Sequence, residues 1–244
     1  VRGRGIPLSR SLEDWSRRTS PLHRRDPRAK ILATLTLLIA LAAEPVGGAR
    51  ELALMAACAL ALLLATAAVA RLPLGEILLR AALVLPFTAL FVLLLWFQGD
   101  GLRAVTLLVK TYLSALTAVL LTATTPLDRL LAGLRRMGAP AVLVQVIHFI
   151  WRYLIVTAEQ AGRVRTAAAA RGGDRVWRIA AASVASLFAS SYQRAERIHR
   201  AMLARNASQA WPLLRPLRFS AADGAFVCGA ILAALAVRAA GGAL

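Results

Sequence analysis

Acids are scarce in this chain, with 12 Asp and Glu among 244 residues against 30 Lys and Arg. Histidine occurs three times and cysteine twice. His23, His148 and His199 lie far apart, and none has a carboxylate or cysteine at ligand spacing, which argues against a metal site built from this chain alone. Cys58 and Cys228 both fall inside apolar runs and supply no disulfide framework. There is no P-loop to cradle nucleotide phosphates, no HExxH, no GxSxG, and no concentration of aspartates that would hold metal for phosphotransfer on lipids. Enzyme chemistry finds no foothold, and no cofactor is expected. The first 30 residues are charged and lack an early apolar core, so they do not read as a secretory leader.

What is present is grease and arginine. The chain is 59% hydrophobic with a mean hydropathy of +0.63, yet its formal charge is +18. Those facts are compatible only if apolar residues and arginines are segregated along the chain, and they are. A soluble nucleic-acid binder would be basic too, but it would not carry several apolar runs of about 20 residues. Nucleic acid is therefore not an expected partner; a lipid bilayer is.

Taken in order, residues 1–30 form a basic segment with nine Arg and Lys against three acids. Asp26 is placed as an N-cap with Pro27 at the first helical position, leading into the apolar run Ile31–Ala43. At 13 residues that run is short for a crossing and could belong to a re-entrant hairpin. Leu52–Ala70 is a conventional span. Ile77–Phe97 is the next, with Arg80 near one end and a bend expected at Pro86. Ala104–Ala123 follows and contains Lys110, which is either functional or a side chain reaching back to the headgroups. Ala221–Ala240 is the last. Charge counting orients them. Residues 1–30 carry a net +6 and residues 126–220 a net +11, so both are expected in the cytoplasm, with an even number of crossings between them.

Between the fourth and fifth spans, residues Gly138 to Asn206 hold two long helical patterns. Each ends in alanine followed by arginine: Ala170-Arg171-Gly172 and Ala204-Arg205-Asn206. In the first, Gln145, His148, Arg152, Glu159 and Arg163 make one polar stripe, with Leu143, Ile147, Ile150 and Leu154 among the apolar remainder. Its charges predict an interfacial helix rather than a span. The second places Val184, Leu187, Phe188 and Tyr192 on one face, with Arg178, Arg194, Arg197 and Arg200 largely off it. Gly172 and Gly173 separate the two, and Asp174 is placed as the N-cap of the second. A helix C-terminus favours a cation, which alone explains one such arginine. Two suggest a pair of guanidinium anchors for two similar acidic grooves, as on a dimeric partner. Asn206-Ala207-Ser208 matches a glycosylation sequon, but its expected cytoplasmic position makes it a chance match.

Asp26-Pro27-Arg28-Ala29-Lys30, the run from Leu130 to Pro140, and above all the two Ala-Arg signatures resemble the transmembrane coupling subunit (T component) of energy-coupling factor transporters. The N-terminal stretch Trp15 to His23 is most similar to the cobalt-type, or CbiQ, branch, with nickel and biotin members close. Asn206 stands where the family has glycine; asparagine tolerates the left-handed conformation, so helix termination can survive. The resemblance implies an all-α integral membrane protein of about five transmembrane helices, in the cell membrane with its N-terminus cytoplasmic. Residues 31–125 would supply four crossings, 126–220 a cytoplasmic coupling domain of three amphipathic helices, and 221–244 the last crossing. Two ABC ATPase subunits would bind at Ala170, Arg171, Gly172, Ala204, Arg205 and Asn206. The apolar faces (Leu143, Ile147, Ile150, Leu154; Val184, Leu187, Phe188, Tyr192) would hold a membrane-embedded substrate-binding subunit, cobalt type, with or without a small accessory membrane subunit. ATP hydrolysis would belong to the partners. Two other readings compete: a membrane-embedded enzyme acting on a lipid or prenyl substrate, and a scaffold whose basic region binds anionic lipid.

Overall fold

A computed structural model describes residues 20, 22, 25–43, 48–170, 176–205 and 219–242. Among them no strand occurs, and the helices are α1 (Pro27–Ala43), α2 (Ala49–Val69), α3 (Leu74–Ala82), α4 (Leu85–Phe97), α5 (Gly101–Thr124), α6 (Leu127–Arg136), α7 (Ala141–Ala170), α8 (Val176–Ala204) and α9 (Ala221–Gly242). The protein is an all-α integral membrane protein: four of these helices are long and apolar enough to cross a bilayer, and the bent α3–α4 pair makes a fifth if it counts as one crossing.

The described residues divide into two compact units, and the division falls inside α6. The larger unit holds α1 to α5, α6 as far as Gly133, and α9. Its innermost side chains are Leu41, Met55, Ile77, Leu116 and Val237, one from each of α1, α2, α3, α5 and α9. Buried alanines surround them, among them Ala59, Ala67, Ala81 and Ala123. Small residues at these positions let backbones approach closely, which is how helices gain contact where lipid offers no hydrophobic drive. By contrast α4 buries only Thr88 and exposes Phe87, Leu90, Trp96 and Phe97, a surface suited to acyl chains.

Local chemistry sets the boundaries. The Asp26 Oδ1 accepts the Arg28 N–H at 2.9 Å, so Asp26 caps α1 with Pro27 at N1, as the sequence led us to expect. α1 is 17 residues long, about 25 Å at 1.5 Å per residue, and so still shorter than a hydrocarbon core of about 30 Å. α2 ends with Arg71 at φ 54°, a left-handed conformation that glycine usually supplies. The chain bends by 50° between α3 and α4, with Pro86 in the first turn of α4. Gly99, at φ 86°, turns α4 into α5.

The smaller unit starts at Leu134 and contains α7 and α8. α6 terminates through Gly138 at φ 105°, where the Ala139 N–H reaches the Leu134 carbonyl (3.1 Å) and the Gly138 N–H the Arg135 carbonyl (3.2 Å). This is a Schellman closure, and Pro140 then starts the next helix. Length and composition alone do not set α7 apart from a span. Charge was the reason to exclude α7 from the bilayer, yet Ala141–Ala167 is long and apolar enough to cross it. The physical reason is uneven spacing: residues 141–158 hold Arg152 as their only Arg, Lys, Asp or Glu, while Glu159, Arg163 and Arg165 crowd the second half.

Candidate coupling surface

The arginine signatures are partly visible. α7 ends at Ala170, and Arg171 and Gly172 lie outside the described residues, as does Asp174. α8 ends at Ala204, exposed, and Arg205 follows as an exposed turn residue whose N–H reaches the Ala201 carbonyl at 3.2 Å. Asn206 again lies outside the described residues.

α7 and α8 pack on each other through a polar link that sequence reasoning did not single out. The Gln160 side-chain amide donates to Ser190 Oγ at 2.8 Å and accepts from the Arg194 guanidinium at 3.2 Å. Ser190 in turn donates to the Leu187 carbonyl at 3.0 Å. Arg194 is therefore partly buried against α7 rather than lying free of the packed face, because its planar fork can reach across to an amide oxygen. The apolar positions divide accordingly. Ile147 and Leu187 are partly buried, whereas Leu143, Ile150, Leu154, Val184, Phe188 and Tyr192 are exposed. On α8 the exposed set steps by four residues, and its central member, Phe188, is 74% exposed. A ridge of this kind at i, i+4, i+8 presents one helix face to an apolar partner.

The larger unit contains a polar cluster where three helix ends meet. The Lys30 ammonium, from α1, donates to the Thr124 carbonyl at 3.0 Å and to Thr125 Oγ1 at 3.1 Å, at the end of α5. Asp223, in the first turn of α9, accepts the Asp26 N–H on Oδ1 at 3.2 Å. Its Oδ2 accepts the Ser220 N–H and hydroxyl at 3.0 and 2.8 Å, and Arg25 stands 3.9 Å from Oδ1. All these acceptors are buried, so each bond spares the cost of an unsatisfied polar group in a low-dielectric setting. The sequence identified Asp26 and Lys30 but not Asp223. Its signal was there: Ser220-x-x-Asp223 ahead of an apolar run is close to a capping box. α6 joins this end through Gly133, where an added Cβ would stand 3.3 Å from the Pro27 Cβ and 3.4 Å from the Arg28 nitrogen.

The family model described as CbiQ, cobalt transport protein, matches residues 18–211. The cobalt transport protein CbiQ of Rhodobacter capsulatus is 34% identical over 152 residues, covering 57% of this chain and 59% of that protein. The chain thus spans less than two thirds of that relative's length. The family match runs from before the Asp26–Lys30 cap, through α6 to α8 and past Arg205, and it leaves out α9. With well over half of its residues inside that match, the chain belongs to the CbiQ family of cobalt transport proteins.

Proposed function

We propose that the chain is the coupling component of an energy-coupling factor importer for cobalt. It would relay the ATP-driven motion of two cytoplasmic ATPases to a membrane-embedded substrate-binding subunit. The observation that carries this reading is the exposed apolar ridge on α8 and its counterpart on α7, on helices that run toward alanine-arginine tips. The ridges are dry surfaces that favour an apolar partner, and the tips are cations placed where a helix C-terminus favours them. Arg171 and Arg205 would each enter an acidic groove on one ATPase. In this reading the Gln160–Ser190–Arg194 link keeps α7 and α8 in register, so that a displacement at the tips reaches Val184, Phe188 and Tyr192. Cobalt is cargo for a pocket on the partner subunit. The basic N-terminal segment, the α2–α3 turn and the tips would share the cytoplasmic side.

Charge reversal tests this directly. Arg171→Glu with Arg205→Glu is expected to abolish cobalt uptake and release the ATPases during purification. Breaking one partner of a buried charge pair costs about 2–5 kcal/mol. Arg197→Glu, an exposed change on the same helix, should leave both intact. Normal uptake and ATPase retention in the double variant would overturn the proposal.

A further inference from the structure

The apolar ridge of α8 carries one polar group that the packing of α7 on α8 leaves unused. Val184, Phe188 and Tyr192 are 66%, 74% and 67% exposed, and they span about 12 Å of helix at 1.5 Å per residue. The Tyr192 hydroxyl makes no hydrogen bond among the described residues. Its neighbours Ser190 and Ser191 both donate theirs to the Leu187 carbonyl, at 3.0 and 2.7 Å. Tyr192 is also held in place. Ser190 and Arg194, two residues to either side, are bonded to Gln160 of α7 at 2.8 and 3.2 Å. Two positions are about 200° round a helix of 3.6 residues per turn, so the flanking residues face α7 and the phenol between them faces away. The helix cannot roll to withdraw it without breaking both bonds.

Apolar contact by itself does not select a membrane-embedded partner, because lipid tails are as apolar as leucine. Val184 and Phe188 alone would gain only closer packing by exchanging lipid for protein. A phenol is different. Exposed, its hydroxyl bonds to water or to headgroups; covered by a dry surface, it loses that bond and nothing replaces it. Tyrosine is common at interface centres because its ring supplies area while its O–H finds a partner. A covered donor therefore discriminates more sharply than apolar area does, since a surface lacking the acceptor leaves it stranded. The α7 counterpart of the ridge, Leu143, Ile150 and Leu154, offers no such group.

We propose that Tyr192 selects the membrane-embedded partner by donating its hydroxyl to an oxygen acceptor on that subunit, a carbonyl, amide or carboxylate facing the α8 ridge. The assignment rests on the coupling role proposed above and names the polar contact within it.

The test uses the complete transporter in detergent, with loss of the substrate-binding subunit from the tagged chain on dilution as the readout. Tyr192→Phe keeps the ring and removes only the hydroxyl. It is expected to weaken binding of that subunit by about 3- to 10-fold, with the ATPases retained and the Tm of the isolated chain unchanged. The sign decides the matter. If the phenol met no acceptor, removing its hydroxyl would spare a desolvation cost, and the subunit would bind as tightly as before or more tightly. Phe188→Asp separates this contact from the coupling role, because it puts a charge into the dry surface without touching the phenol. It is expected to release the substrate-binding subunit while the ATPases stay. Release by Phe188→Asp together with unchanged or tighter binding by Tyr192→Phe would overturn the hydrogen bond and leave the ridge as a docking surface. Full retention in Phe188→Asp would remove the ridge itself, and the assignment with it.

Discussion

Asp223 takes three hydrogen bonds on two oxygens, from Asp26, from the Ser220 backbone and from the Ser220 hydroxyl. Truncation to alanine removes the cap of α9 and strands the Asp26 N–H in the interior. Asp223→Ala is therefore expected to destabilise the protein by about 2 kcal/mol, and Asp223→Asn by less, because an amide oxygen still accepts. Thermal unfolding of the solubilised protein checks this, and equal midpoints for wild type and Asp223→Ala would contradict it. The same residue marks a limit of reading one sequence. Asp26 was legible because Pro27 follows it, and a cap is a local affair. Asp223 sits 197 positions from Asp26, and no local pattern announces that two caps will bond to each other.

Elements were legible where side-chain spacing is one-dimensional and less so where packing decides. The bend at Pro86 and the short first helix are set by the local sequence, and the structure has both. The faces of α8 are another matter. Phe188 and Leu187 are neighbours with the same hydropathy signal, yet one is exposed and the other partly buried, and Ser190, bonded to Gln160 of α7, donates to the Leu187 carbonyl. A double-mutant cycle of Gln160→Ala with Ser190→Ala is expected to return a coupling of about 1 kcal/mol in unfolding free energy. Additive effects would mean that the link carries no weight. At the other end of the chain's helical repertoire, Gly133 lets α6 touch the start of α1. Gly133→Val must push against backbone at Arg28, which cannot yield as a flexible side chain would. It is expected to cost about 1–3 kcal/mol, visible as a lowered Tm, whereas an unchanged Tm would mean that α6 seats elsewhere.

For the whole molecule, the segregation of arginine from grease is the feature that composition exposed most directly. The all-helical membrane architecture followed from it, as did the family resemblance once Asp26–Lys30 and the Ala-Arg tips were noted. The orientation can be tested on a background lacking Cys58 and Cys228. Gln98→Cys, in the α4–α5 turn, should react with an impermeant thiol reagent in intact spheroplasts. Glu76→Cys, by the α2–α3 turn, should react only after permeabilisation; the reverse pattern would invert the proposed topology. The meeting point of α1, α5 and α9 adds a consequence of its own. Two helix N-termini and one C-terminus converge there, carrying partial charges of about half a unit, positive at the first two and negative at the third. Asp26 and Asp223 lie on the positive ends, and Lys30 bonds the terminal carbonyl of α5 at the negative end. Asp26, Asp223 and Lys30 thus each face a macrodipole of opposite sign, whereas Arg25 and Arg28 stand by the N-terminus of α1 beside the two carboxylates. Exchanging Asp223 and Lys30 with each other would preserve the net charge and turn both of those attractions into repulsions, so the junction has a polarity that charge balance alone does not reveal.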